Sequence, residues 1–163
     1  MWLLQKVIYS FSTKPDTGLP LGNLTSQLLV NIYLNEFDQF VKHKLKAKYY
    51  IRYADDFVLL STNRDWLEKQ ISVIREFLQN RLKLTLHPQK IFIKTIASGI
   101  DFLGWVNFSD HRVLRTTTKR RLIKRVEGCQ KESTLNSYLG FLKHGNTYRL
   151  RYKILSVPLF VDF

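Results

Sequence analysis

An α+β fold is predicted for this chain of 163 residues by three observations. Two long stretches repeat their apolar residues at helical steps. Short strand-like runs ending in tight turns stand between and after them. From Thr118 onward the pattern becomes helical and basic. With 45% hydrophobic and 13% aromatic residues the chain is too apolar for a disordered tail. Its length suits one domain, or one domain with a small appendage.

MWLLQKVIYSF reads as the end of a helix without an obvious N-cap, and the loop STKPDTGLPLGN after it is dense in Pro, Gly, Asp and Ser. Leu24, Leu28, Ile32, Phe37, Phe40, Val41 and Leu45 then recur at three-, four- and five-residue steps. They predict one amphipathic helix from about Thr25 to Lys46, with Asn31, Asn35, Asp38 and Lys42 on its other face. Tyr49 to Tyr53, a turn at Ala54 to Asp56, and Phe57 to Ser61 make a hairpin. Trp66, Leu67, Ile71, Ile74, Phe77, Leu78 and Leu82 mark a second helix, capped by Asn63 or Asp65. Strands are expected at Leu84 to Leu86 and near Ile91 to Thr95, around a turn at His87 and Pro88. GIDFLGWVNF and HRVLRT predict another hairpin, bent at Gly99 and Gly104. KRRLIKRVEGCQ, STLNSYLGFLKHG and YRLRYKIL are helical, so a boundary is placed near Thr116 between an α+β body, 1–116, and a helical tail, 117–163.

Lys and Arg outnumber Asp and Glu 26 to 13, for a net charge of +13. Such an excess fits a polyanion, because neutralising phosphates releases counterions. Nucleic acid is the leading partner class, and a merely soluble basic protein is the bland alternative. No apolar run approaches the roughly 20 residues of a membrane span, and no helix has the form of a basic membrane-surface helix. Cys129 is the only cysteine, which excludes an intrachain disulfide and a Cys-based zinc site and fits a reducing cytoplasm. His87, His111 and His144 lack a ligand spacing. The N-terminus lacks the cleavage site of a signal peptide.

The stretch that carries chemistry is YYIRYADDFVLL, residues 49–60, where Asp55 and Asp56 stand between apolar strands. Two carboxylates about 4 Å apart repel by something like 4 kcal/mol at an effective dielectric near 20, so a compensating cation is expected. Hard divalent cations such as magnesium prefer these oxygen ligands, and a two-metal site serves phosphoryl or nucleotidyl transfer. Aspartate also favours turns, so the pair by itself reads first as a turn former.

The surrounding motifs decide between these. Tyr53-Ala54-Asp55-Asp56 resembles the Tyr-x-Asp-Asp signature of reverse transcriptases. GLPLGNLTSQLLVNIYLNEFD, Gly18 to Asp38, resembles the family's template-contacting loop and the helix after it. LTLHPQK is similar to the segment whose lysine, here Lys90, lies near the incoming nucleotide's phosphates. GIDFLGW resembles the primer-grip hairpin, and SYLGFLKHGN the helical thumb of prokaryotic members. The resemblance implies a partial polymerase palm, an antiparallel sheet with packed helices, followed by a helical thumb. It implies that Asp55 and Asp56 hold Mg2+ in a two-metal site that joins deoxynucleotides to a DNA primer on an RNA template.

Leu21 and Gln27 stand where many relatives have Gln and Pro in the pattern Gln-Gly-x-x-x-Ser-Pro, a variant that resembles the enzymes of diversity-generating retroelements. Those copy a template RNA into cDNA with errors at adenines, alongside a small basic accessory protein. Losing an amide at Leu21 offers a route to looser base discrimination. The nearest rival readings are a group II intron maturase, a retron enzyme, or a noncatalytic RNA-binding remnant.

By the same resemblance Gly22, Asn23, Ser26, Gln27 and Tyr53 meet nucleotide or template, although a glycine turn with a Ser or Thr cap explains part of that stretch equally well. Lys90 would neutralise or protonate the leaving pyrophosphate, or is a solvated surface residue. Arg52 contacts phosphate or occupies the strand's solvent face. Phe102, Leu103, Gly104 and Trp105 would form the primer grip, with Phe102, Trp105 and Phe108 either stacking on sugars and bases or belonging to the core. Arg112, Arg115, Lys119, Arg120, Arg121, Lys124 and Arg125 would track a nucleic-acid backbone while Leu122, Ile123 and Val126 pack inward, unless the helix is simply solvated.

The family's site needs a third carboxylate on a strand before the loop, and neither Asp16 nor Asp38 occupies such a place. The fingers and a sugar-screening aromatic are missing too. The chain is therefore expected to be the C-terminal part of a polymerase and to polymerise little alone.

Overall fold

The computed structural model describes residues 2–9, 24–128 and 132–155, which fall into two compact units, one within 1–93 and one within 94–163. Both combine helices with small antiparallel sheets, the α+β class the sequence predicts. The Thr116 boundary falls inside the second unit. Among the described residues no helix is long and apolar enough to cross a membrane.

In the first unit α1 is Trp2–Tyr9. The expected single helix from Thr25 is divided into α2, Leu24–Tyr33, and α3, Asn35–Gln39, which runs into a π-helical turn, Phe40–Lys44. The division falls at Leu34, inside the five-residue step between Ile32 and Phe37 where the apolar repeat loses phase. The stripe that packs is Val30, Leu34, Phe37 and Val41, at four-, three- and four-residue spacing. Leu28 and Ile32, expected on the inner face, are 61% and 63% exposed.

Strands β1, Tyr49–Tyr53, and β2, Asp56–Leu60, pair antiparallel with Tyr53 opposite Asp56. Asp56 therefore opens β2, and the turn has two residues, Ala54 and Asp55. Side chains alternate across a strand, so Tyr50, Phe57 and Leu59 face the core around Phe37, which is 1% exposed and meets Phe57 edge-on at 4.9 Å. Helix α4, Arg64–Leu82, begins at Asn63, whose Oδ1 accepts the Trp66 amide at 2.9 Å. It buries Ile74, Leu78 and Leu82 on one face and ends where Lys83 turns to φ +52°. The strands expected at 84–86 and 91–95 are not formed. Residues 84–87 and 91–95 carry no ladder and flank a 3-10 turn, Pro88–Lys90. Strand propensity without a neighbouring edge leaves backbone groups to other partners.

In the second unit β3, Ile100–Phe102, β4, Trp105–Asn107, and β5, Arg112–Leu114, form one antiparallel sheet in that order. The β3–β4 turn places Leu103 at φ +54° and Gly104 at φ +82°, the two left-handed residues that a tight hairpin matched to strand twist requires. Helices α5, Thr116–Glu127, α6, Glu132–Leu142, and α7, Tyr148–Leu155, complete the unit. Trp105, Leu114, Leu122, Leu142, Leu150 and Ile154 form its core. The α6–α7 loop is stitched to β5, since the Asn146 amide donates to the Arg112 carbonyl at 2.8 Å and Arg112 Nε donates to the His144 carbonyl.

Gly145 in that loop lies against the Trp105 ring so closely that a Cβ would overlap it. Gly145→Ala should destabilise the unit by about 1–3 kcal/mol, since the buried Trp105 ring or the loop would have to shift to admit the methyl group. Thermal unfolding checks this, and an unchanged midpoint would show that the loop yields at no cost.

Candidate catalytic hairpin and nucleic-acid surface

The two-residue turn lifts Asp55 beyond the ladder and leaves Asp56 at its last pair, both exposed. Neither carboxylate has a side-chain hydrogen bond or ion pair among the described residues. Ala54, which precedes them, is held at φ +51°. A left-handed conformation costs a non-glycine residue about 1–2 kcal/mol and persists where its surroundings fix it.

What fixes it is Arg52, on the inner face of β1. Its Nε donates to Asp38 Oδ1 at 2.7 Å and its NH2 to Asp38 Oδ2 at 2.5 Å, a bidentate pair. Its NH1 donates to the Ala54 carbonyl at 2.8 Å and to Asn31 Oδ1 at 3.0 Å. The Tyr50 hydroxyl adds a bond to Asp38 Oδ1 at 2.6 Å. The side chains of Arg52 and Asp38 are 9% and 29% exposed. Arg52 is therefore engaged within the protein and is not displayed on the strand's solvent face, one of the two places its position in the sequence suggests. It ties the turn to α2 and α3.

The electrostatics agree with that geometry. The Arg52 hydrogen bonds hold the Asp38 carboxyl below the usual carboxylate range against the opposing effect of burial, with help from Tyr50. Burial, and then the bond to Asp38, push the Tyr50 hydroxyl up. Asp38 holds the Arg52 guanidinium more firmly charged. The sequence carried a signal for this clamp: Asn31 and Asp38 are seven residues apart on one polar helix face, and Tyr50 and Arg52 share one strand face.

The other expected site residues are distributed as follows. Gly22 and Asn23, with Leu21 and Asp16, lie outside the described residues. Ser26 and Gln27 stand in the first turns of α2, and Tyr53 is half exposed at the end of β1 beside the aspartates. Lys90 is exposed and ends the 3-10 turn, with no hydrogen bond or ion pair to either aspartate. Phe102, Leu103, Gly104 and Trp105 belong to the second unit. Leu103 is exposed at the hairpin tip and Phe102 is half-buried.

Trp105 corrects the expectation of a groove-lining ring. It is 6% exposed, lies 5.1 Å from the Phe141 ring, and is covered by the Arg112 guanidinium at 5.3 Å. No base can stack on a ring whose faces are already occupied. Phe108 is half-buried and stacks on His111 at 4.7 Å.

On α5, Leu122 is buried and Ile123 and Val126 are half-buried, while Lys119, Arg120, Arg121, Lys124 and Arg125 are exposed. Arg115, just before the helix, pairs with Asp101 at 3.1 Å. Lys119 and Arg149 line an open cavity of about 610 Å³ between β5, α5 and the start of α7.

The chain belongs to the reverse transcriptase (RNA-dependent DNA polymerase) family, whose model matches residues 6–107 and so takes in the aspartate hairpin, the Lys90 turn and the β3–β4 hairpin. Among individual proteins it is 29% identical to protein YkfC of Escherichia coli (strain K12), over 73% of this chain and 38% of that protein. It is 26% identical to the group II intron-encoded protein LtrA of Lactococcus lactis subsp. cremoris, over 79% of this chain and 30% of that protein. The chain thus spans well under half the length of these relatives.

Two exposed carboxylates that pair with no cation among the described residues are oxygen donors of the kind that hard divalent cations prefer. Among the described residues no group of three His, Cys, Asp or Glu is placed to hold a metal.

Proposed function

We propose that this chain supplies palm and thumb parts of an RNA-directed DNA polymerase, with residues up to 116 in the palm and 117–163 in the thumb. The observation that carries this is the rigidly clamped hairpin that presents two unpaired carboxylates within the matched family region. Asp55 and Asp56 would hold Mg2+, which when bound lowers the pKa of a primer hydroxyl and stabilises charge on the phosphates. The protein's own part is positional. Arg52 and Asp38 brace the turn, and because the Arg52 guanidinium is spent on Asp38, Asn31 and the Ala54 carbonyl, no cation among the described residues pairs with either catalytic carboxylate. Lys90 would offer a proton or charge to the departing pyrophosphate. Ser26, Gln27 and Tyr53, with Gly22 and Asn23, would meet the template and the incoming deoxynucleotide. Leu103 and Gly104 would meet the primer from the hairpin tip, and the α5 cations would follow the duplex backbone.

Two subfamily readings have support. Leu21 and Gln27 favour the diversity-generating type, with a small basic accessory protein as partner. The likeness to the group II intron-encoded protein favours an intron maturase. On either reading the chain would work in the cytoplasm on an RNA template.

Primer extension with Mg2+ on an RNA template tests this reading. The chain alone should add few nucleotides, because among the described residues two carboxylates stand at the hairpin and no third joins them, and a polypeptide carrying the third should restore extension. Robust extension by the chain alone would overturn the two-carboxylate account. In the restored assembly Leu21→Gln should lower misincorporation at template adenines if the enzyme is of the diversity-generating type, and should leave it unchanged if it is a maturase.

A further inference from the structure

From Gln39 to Ala54 the sequence contains no Asp or Glu, yet Lys42, His43, Lys44, Lys46, Lys48 and Arg52 fall there. Arg52 is consumed by the clamp, whereas the four lysines and His43 are all exposed and pair with no carboxylate among the described residues. Part of the run has a local explanation. Lys42, His43 and Lys44 occupy the last turn of the π-helical segment, where cations offset the helix dipole. Lys46 and Lys48 lie beyond the helix end and gain nothing from it. Two of the lysines are oriented by aromatic rings: Lys42 Nζ lies 5.9 Å from the Tyr50 ring centre, and Lys48 Nζ lies 5.2 Å from that of Tyr49. Tyr49 is itself 55% exposed and starts β1.

We infer that this collar, residues 42–48 with the Tyr49 ring beside it, is a second contact for a nucleic-acid backbone, separate from the cations of α5. The inference rests on the polymerase reading for the class of its partner. A cluster of unpaired lysines beside an exposed ring suits a strand whose phosphates meet cations and whose sugars or bases meet an aromatic face. Its distance from the aspartates also suits this role. The collar adjoins one end of β1 and the aspartate turn the other, about 17 Å away at roughly 3.4 Å per residue. That exceeds the Debye length of about 10 Å at 0.1 M salt, so collar charges do not compete with the cation site for Asp55 and Asp56. Tyr49, Ile51 and Tyr53, all half exposed on the outer face of β1, line the way between them.

The test is a salt titration of the full chain binding a fluorescently labelled RNA–DNA hybrid. The collar variant is Lys42→Gln/Lys44→Gln/Lys48→Gln. Lys46, at φ +53°, is left in place so that the turn is unchanged. The slope of log affinity against log salt should become shallower by about 2 to 3, and affinity at 0.1 M salt should fall about tenfold or more. An α5 variant, Lys119→Gln/Arg120→Gln/Lys124→Gln, measured in parallel should produce its own loss. If the α5 variant lowers the slope and the collar variant does not, the collar proposal is overturned and the polymerase reading stands. A wild-type chain that fails to bind the hybrid overturns both. If the collar variant melts below the assay temperature, Lys44→Gln alone, whose lysine touches no ring, should still reduce the slope by about 0.9, and an unchanged slope there overturns the collar.

Discussion

Asp55→Asn should abolish metal-dependent nucleotide addition by an assembly containing this chain, by about a thousandfold or more, while leaving thermal stability unchanged or slightly raised. A loss of that size corresponds to about 4 kcal/mol of transition-state stabilisation, the scale expected when an anionic ligand is replaced by a neutral amide at a metal that stabilises phosphoryl charge. The stability half of the expectation follows from the structure. Asp55 is exposed, bonds to no other side chain among the described residues, and stands next to a second carboxylate, so neutralising it removes repulsion and none of the contacts described. Activity lost together with a large fall in melting temperature would instead assign Asp55 a structural role.

Arg52→Met should have the opposite profile. It should lower stability by about 3 kcal/mol, because Asp38 and Tyr50 keep their partly buried polar groups without the guanidinium that satisfies them. The exposure of Asp38 keeps the effect below that of a fully buried pair. Activity should fall as a secondary effect, since the Ala54 carbonyl loses the bond that helps hold the turn in its left-handed conformation. The same pair sets a pH dependence. The Asp38 carboxyl is held below its usual value in the folded state, so its contribution is complete above the unfolded pKa of about 3.9 and is lost as pH falls through the folded value. Wild-type stability should therefore drop below about pH 4, and Arg52→Met should lack that part of the drop. Chemical unfolding at pH 7 and pH 3 measures both effects. Equal losses of stability in the two proteins would contradict the clamp.

Local signals in the sequence suffice where one residue's chemistry dictates the backbone. A cap at Asn63 or Asp65 (Asn63 in the structure), the bounds of the aspartate hairpin to within one residue, and the inward face of α5 all follow from short-range patterns. The failures have a common physical cause. Leu28 and Ile32 satisfy a helical repeat as well as Val30 and Leu34 do, and only the position of Phe37 selects between the two stripes. Residues 84–86 and 91–95 have strand composition, but a strand requires a paired edge, which their composition does not reveal. Trp105 looks the same in sequence whether it faces a groove or a core, and Gly145, forty residues later, is what covers it. The site divides in the same way. Asp55 and Asp56 were legible because adjacent charges between apolar strands demand an explanation. The Arg52 clamp is only hinted at, by the polar residues Asn31 and Asp38 and by the shared strand face of Tyr50 and Arg52, because its partners sit on different elements.

The most direct test of the central claim, that this hairpin carries metal for nucleotidyl transfer, is paramagnetic broadening of backbone amide signals during titration with Mn2+, a substitute for Mg2+ at oxygen sites. Signals of Ala54 to Phe57 should broaden first in the wild-type chain, and Asp55→Asn/Asp56→Asn should remove that broadening with the rest of the spectrum unchanged. Signals at the hairpin that are indifferent to Mn2+, or that broaden equally in the double variant, would contradict the account.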